Sequence, residues 1–185
     1  MDASPFSPSD NLGDYFLCVS RLVPYKRIDI AIRAFNLLGY PLRIVGRGIE
    51  EGKLKAMARS NIKFLGYLPT ERLAEEYARC QALIFPGEED FGIVPVEAQA
   101  SGRPVIGYGV GGVKETIIED KTGIFFNTQT SQSLTEAVGR FQNLKFNPGD
   151  CVANAQRFAK EVFMRKVKDF VEEKLREYFG GENAH

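Results

Sequence analysis

Tyr15–Gly46 reads YFLCVSRLVPYKRIDIAIRAFNLLGYPLRIVG. Its first six residues, Tyr15–Ser20, form a continuous apolar run, the pattern of a strand covered on both faces. Ile28, Ala31, Ile32, Phe35 and Leu38 then recur at helical spacing, with Gly39 as a C-terminal stop. Pro41–Gly46 is a second apolar run of the first kind. Downstream the alternation continues. Residues 49–60 read as a polar helix weakened by Gly52, 62–66 as a strand, and 70–80 as a helix with Thr70 placed to cap it. Residues 82–86 read as a strand and 94–102 as a short helix with Pro95 in its first turn. Residues 104–108, 111–120 and 122–126 read as strand, short helix and strand. From about residue 130 the chain is helical. Six strands alternating with helices predict an α/β fold, a doubly wound parallel six-stranded sheet of Rossmann-like type with C-terminal helices.

Composition narrows the function classes. The 185 residues suffice for one domain with a sizeable core. Twenty-four basic residues balance twenty-four acidic ones, which argues against a module held to nucleic acid by phosphate contacts. No apolar run approaches the ~20 residues of a membrane helix, and MDASPFSPSD lacks the features of a signal peptide. Cys18, Cys80 and Cys151 are odd in number, far apart and set in apolar or helical surroundings. They read as reduced cysteines of a cytoplasmic protein, and no pair has metal-ligand spacing. The only histidine, His185, is the last residue, so no histidine general base is expected.

In an open parallel sheet, ligands sit beyond the carboxyl ends of the strands. After the first strand comes SRLVPYKRID, where Arg21 and Lys26 flank Pro24. Two cations here suit a phosphate or diphosphate, a fork from Arg and a point charge from Lys. A solvated helix start is the plain alternative, but cations at a helix N-terminus oppose its dipole. The glycines of VGRGIEEG fit either a ligand approaching the backbone or a tight turn. Their spacing is not that of the dinucleotide fingerprint. Gly107, Gly109, Gly111 and Gly112 fit close backbone approach to a ligand or to another chain segment, or a strained strand-to-helix turn.

The densest signal is GEEDFGIVPVEAQASGRPVIG, Gly87–Gly107. With Pro95 in the first turn, the backbone of Phe91–Val94 and Val96 lies at a helix mouth suited to an anion. Glu97 falls at about the third helical residue. There it could serve the dipole alone, for ~0.3–1 kcal/mol. Yet Glu88, Glu89 and Asp90 crowd the same mouth and would repel a phosphate unless they face something else. Sugar hydroxyls qualify, since a carboxylate accepts from two vicinal OH groups. A nucleotide sugar is the ligand these residues suggest. DFG has no kinase partner motifs in this chain, and EED lacks further ligands at metal spacing. No metal or other cofactor is expected.

Together these segments resemble the retaining glycosyltransferases of group 1 (family 4), which have the two-domain GT-B fold. The similarity is to the C-terminal, donor-binding half and runs from Tyr15 to the final helix. It rests on the E-x7-E element, Glu89 to Glu97, with SRLVPYKRID, IVGRG, IKFLGYLP and GGVKETI in the expected order. PYKRID with FPGEEDFGIVPVEAQASGRPVIGYG looks most like the mannosyltransferases of O-antigen and other surface polysaccharides. The resemblance implies that Arg21, Lys26, Gly92, Ile93 and Val94 bind the donor diphosphate. It implies that Glu89, with backbone of Phe91 and Gly92, contacts the hexose, and that Glu89 is catalytic, stabilising an oxocarbenium-like transition state. Glu97 would accept from the ribose hydroxyls, and Arg47, Tyr67 and Leu68 would border the base. The donor would be GDP-mannose or a UDP-hexose, used without a bound metal.

On this reading residues 1–14 are an interdomain lead-in and 15–181 the donor-binding domain. The partner N-terminal acceptor domain is absent from this chain. The isolated domain is expected to bind nucleotide sugar with little transfer, and to meet the inner face of a membrane only peripherally, through the full enzyme. A non-catalytic nucleotide-binding regulatory module is the alternative. An epimerase or phosphorylase of the same fold fits poorly, because the histidines of the first and the cofactor-anchoring lysine segment of the second are not recognisable.

Overall fold

The computed structural model describes residues 5–180; His185 and residue 181, the expected domain end, lie outside them, as do residues 1–4. Six strands are present: β1 (Phe16–Val19), β2 (Leu42–Val45), β3 (Ile62–Gly66), β4 (Leu83–Phe85), β5 (Val105–Tyr108) and β6 (Gly123–Phe126). All pair in parallel, in the order β3-β2-β1-β4-β5-β6. This is the expected doubly wound sheet, with the order reversing between β1 and β4.

Successive strand residues serve opposite faces. Phe16 and Cys18 join the layer built by α1 (Ile28–Leu38), α2 (Glu51–Met57) and α6 (Ser131–Phe141). Tyr15 and Leu17 join the opposite layer, with Tyr77 of α3 (Thr70–Arg79), Ala98 of α4 (Ile93–Ala100) and Val113 of α5 (Val113–Thr116). The three cysteines are buried and unpaired, and burial pushes each thiol up to about 12. Gly39 ends α1 with φ 74°, as its position predicts.

The helix boundaries correct several expectations. Thr70 is the first residue of α3 and makes no side-chain cap; Pro69 occupies the cap position. Residues 49–60 contain only the two turns of α2, consistent with an interior glycine. α5 stops at Thr116 because Ile117 is extended and the next N–H, of Ile118, donates to Thr122 Oγ1 rather than along a helix. α4 begins at Ile93, one residue sooner than expected. Gly92, at φ 78°, takes the left-handed turn that lets the chain enter the helix there. Glu97 is therefore the fifth helical residue, a full turn inside, and does not stand at the helix mouth.

Residues 5–15, preceding β1, lie along the α3–α4 layer. The Phe6 ring meets Tyr77 edge-on at 5.7 Å, and Gly13 N–H donates to Arg79 O. Buried Arg103 donates to Ala78 O and to Ser9 O. α7 (Pro148–Gln156) packs on α4, and α8 (Lys160–Gly180) follows with an apolar stripe that includes Phe163, Val167, Phe170 and Leu175, all exposed.

Candidate functional site

Because β1 and β4 are neighbours, the loops that follow them face each other at the carboxyl edge of the sheet. The loop after β1 passes through a single turn of tighter helix, Pro24–Lys26, where proline is in place at the first position. Arg27 then takes φ 54° and joins the turn to α1. Its guanidinium fixes that geometry by donating to Asp29 at 3.2 Å and to Gln129 at 3.1 Å. Gln129 in turn donates to Pro86 O, tying the loops after β1, β4 and β6 together.

The loop after β4 is held by the loop after β5. Gly112 N–H donates to Glu89 O at 2.7 Å, and Glu89 and Gly111 form an isolated parallel bridge. A side chain at Gly111 would meet Glu89 O at 2.5 Å, and one at Gly112 would meet Phe91 Cα at 2.5 Å. These glycines thus admit another chain segment, one of the three readings the sequence left open. The glycines of VGRG do the same for the first loop: a Cβ at Gly46 or Gly48 would run into the backbone of Ser20 or Leu22.

Two adjoining clefts result. One, about 550 Å³, is walled by Arg21, Arg47, Tyr67, Leu68, Leu73 and Val94. The other, about 220 Å³, is walled by Arg21, Lys26, Glu89, Gly92, Ile93 and Val94. They share Val19, Ser20, Arg21 and Val94. Nine of the eleven residues singled out in the sequence line one cleft or the other. The exceptions are Phe91 and Glu97. The Phe91 ring packs edge-on against Phe158 at 5.6 Å, leaving its backbone beside Gly92. Glu97 lies one turn behind Val94, where Oε2 accepts a 2.8 Å hydrogen bond from the Tyr77 hydroxyl.

The electrostatics of the smaller cleft are mixed. Lys26 and Glu89 form an ion pair with side chains 15% and 25% exposed. Burial, and next the charge of Arg21, lower the Lys26 pKa. Around the same wall, no loop carbonyl or side chain among the described residues accepts from the N–H of Ile93 or Val94. Pro95 has no N–H to satisfy, so the start of α4 presents donors and positive dipole toward Arg21 and Lys26. In the larger cleft the walls are mainly apolar, with Arg47 and Tyr67 at the rim. The described residues contain no His, Cys, Asp and Glu cluster suited to a metal ion.

Residues 4–158 match the family described as glycosyl transferases group 1. The chain belongs to the group 1 glycosyl transferases. This group 1 chain is 29% identical over 163 residues to an uncharacterized glycosyltransferase of Methanocaldococcus jannaschii, covering 84% of this chain and 46% of that protein. It is 34% identical over 148 residues to the GDP-mannose-dependent alpha-(1-6)-phosphatidylinositol monomannoside mannosyltransferase of Mycolicibacterium smegmatis, covering 69% and 39%. The fold matches that of the Anabaena protein HepE, solved with UDP and glucose, at a TM-score of 0.80 and 22% identity, covering 93% of this chain and 55% of that one. The group 1 chain thus spans under half of either curated relative. No helix among the described residues is long and apolar enough to cross a membrane.

Sequence reasoning missed Tyr77. On α3 it stands four residues after Leu73, on the buried stripe, where a tyrosine reads first as core. The available signal is that a buried phenol needs an acceptor.

Proposed function

We propose that this chain is the C-terminal, donor-binding half of a retaining glycosyltransferase, moving a hexose from a nucleotide diphosphate sugar to a glycan or lipid-linked acceptor. The observation that carries the proposal is the unpartnered start of α4 facing Arg21 and Lys26 in a cleft that also holds Glu89. The donor diphosphate lies against Arg21, Lys26 and the backbone of Gly92, Ile93 and Val94. Its nucleoside enters the larger cleft, the base bordered by Arg47, Tyr67 and Leu68 and the ribose hydroxyls received by Glu97. The hexose lies by Glu89 and the backbone of Phe91 and Gly92.

In transfer, the bond from the anomeric carbon to the diphosphate oxygen breaks and a bond to the acceptor hydroxyl oxygen forms. Negative charge grows on the departing diphosphate, where two cations and aligned N–H donors stabilise it. Positive charge grows at the anomeric carbon, where ionised Glu89 stabilises it, and the acceptor proton leaves with the diphosphate or to water. A diphosphate competes with Glu89 for Lys26, so donor binding frees the carboxylate for the sugar. Similarity to the GDP-mannose-dependent M. smegmatis enzyme supports a mannose donor, and likeness to HepE, solved with UDP, keeps a UDP-hexose as the competing one.

Calorimetric titration of the chain with GDP, UDP, GDP-mannose and UDP-glucose tests this. Micromolar-to-millimolar binding is expected, about 4–8 kcal/mol. Absence of heat with all four, and of any NMR shift near Gly92, overturns it. Glu89→Gln in the enzyme joined to its acceptor domain should lower turnover strongly while nucleotide affinity holds. Equal loss of both would leave a binding role only.

A further inference from the structure

Tyr77 is fully buried, yet its hydroxyl is not turned toward a backbone carbonyl of its own layer. It crosses from α3 to α4 to donate to Glu97 Oε2 at 2.8 Å. The ring is held in place by the Phe6 edge at 5.7 Å, and the Tyr77 backbone carbonyl accepts from Cys80 Sγ. Leu73 and Val94, one turn earlier on α3 and α4 respectively, line the larger cleft. The Tyr77–Glu97 pair therefore lies directly behind that wall. Glu97 Oε1 has no protein donor among the described residues and is not sealed from solvent.

The geometry points to Tyr77 as a positioning residue that clamps one oxygen of Glu97 so that the other is aimed at the ribose hydroxyls of a nucleotide in the larger cleft. This rests on the proposed reading of that cleft. Burial favours the neutral carboxyl of Glu97, and the bond from Tyr77 opposes this by favouring the carboxylate. The carboxylate accepts from both vicinal hydroxyls more strongly than the neutral carboxyl does. Without the phenol, Glu97 keeps its charge less readily and rotates more freely. A simple clamp between α3 and α4 would instead affect every nucleotide alike.

The test is calorimetry on the intact 185-residue chain, wild type and Tyr77→Phe, with UDP and GDP and with their 2′,3′-dideoxy counterparts. The expected result is a loss of about tenfold for the ribonucleotides in the variant, the scale of one hydrogen bond to a charged group, with dideoxynucleotide affinity unchanged. Equal losses for both classes, or no loss for either, overturn the positioning role. A wild-type chain that binds none of the four overturns the reading of the cleft and this inference with it. If Tyr77→Phe does not fold, the wild-type Tyr77 hydroxyl proton is followed by NMR. It should shift on saturation with ribonucleotide and stay fixed with the dideoxy form; the same response to both overturns the role.

Discussion

Gly112→Ala isolates how the site's acidic loop is held. Gly112 sits at φ −63° and ψ −15°, an ordinary right-handed conformation, so alanine adds no torsional strain. Gly112 is the N-cap of α5, where glycine is preferred over alanine, so no gain in helix propensity offsets the change. The effect is steric. The new Cβ falls closest to Asp90 O, then 2.5 Å from Phe91 Cα and 2.7 Å from the Asp90 carbonyl carbon. Ordinary contact begins at 3.4 Å, so the backbone of Asp90–Phe91 must retreat by more than about 0.9 Å. That segment is also held by the 2.7 Å bond from Gly112 N–H to Glu89 O, and it cannot retreat without lengthening it. Overpacking of this kind costs about 1–3 kcal/mol. A net loss of about 1–3 kcal/mol is expected, a fall in Tm of ~2–12 °C for a chain of this size. Thermal unfolding followed by circular dichroism reads it. Gly52→Ala in α2 is the control: nothing lies within 4 Å of its Cβ, and it should melt higher than wild type. If Gly112→Ala melts at or above wild type while Gly52→Ala behaves as stated, the account of the loop as sterically seated against Gly112 is wrong.

Lys26→Met should weaken UDP or GDP about tenfold to hundredfold, the scale of a charge-assisted bond, and leave uridine or guanosine binding nearly unchanged. A similar loss for the nucleosides would place Lys26 away from the diphosphate. Glu97 predicts a pH signature in stability. Its folded pKa is raised by burial above the ordinary glutamate value of 4.5, so between 4.5 and the folded value the folded chain holds a proton the unfolded chain has lost. Stability contributed by this group therefore falls as pH rises through that window. Urea unfolding from pH 4.5 to 7 should show a smaller decline, or a larger rise, in Glu97→Gln than in wild type; an identical profile refutes the shift.

The strand pattern was legible because apolar runs covered on both faces need no tertiary knowledge to recognise, and all six appear where YFLCVS, PLRIVG, IKFLG, ALIFP, PVIGY and TGIFF stand. Helix ends were less legible. Nothing local in GIVPVE distinguishes a helix starting at Ile93 from one starting at Val94, since both put proline in the first turn. The choice is made by Gly92 adopting a positive φ. The glycines of VGRG and GYGVGG were recognisable as points of close approach, but what approaches them is settled only by β1 lying beside β2 and by β4 lying beside β5. The Lys26–Glu89 ion pair and the Tyr77–Glu97 bond were invisible for the same reason: each joins residues from different β–α units, and spacing along the chain carries no record of it.

The adjacency of β1 and β4, with Leu17 opposite Leu83, also sets the order in which this site can come into being. Everything between them, two strands and three helices, must be looped back before Arg21 and Lys26 meet Glu89 and the start of α4. Such non-local closure is entropically costly and slow compared with forming either β–α unit alone. Neither a peptide carrying the two glutamates nor one carrying the two cations contains the site. Nucleotide binding thus reports on completed folding of the sheet's centre, and a nucleotide that binds there stabilises that closure by mass action.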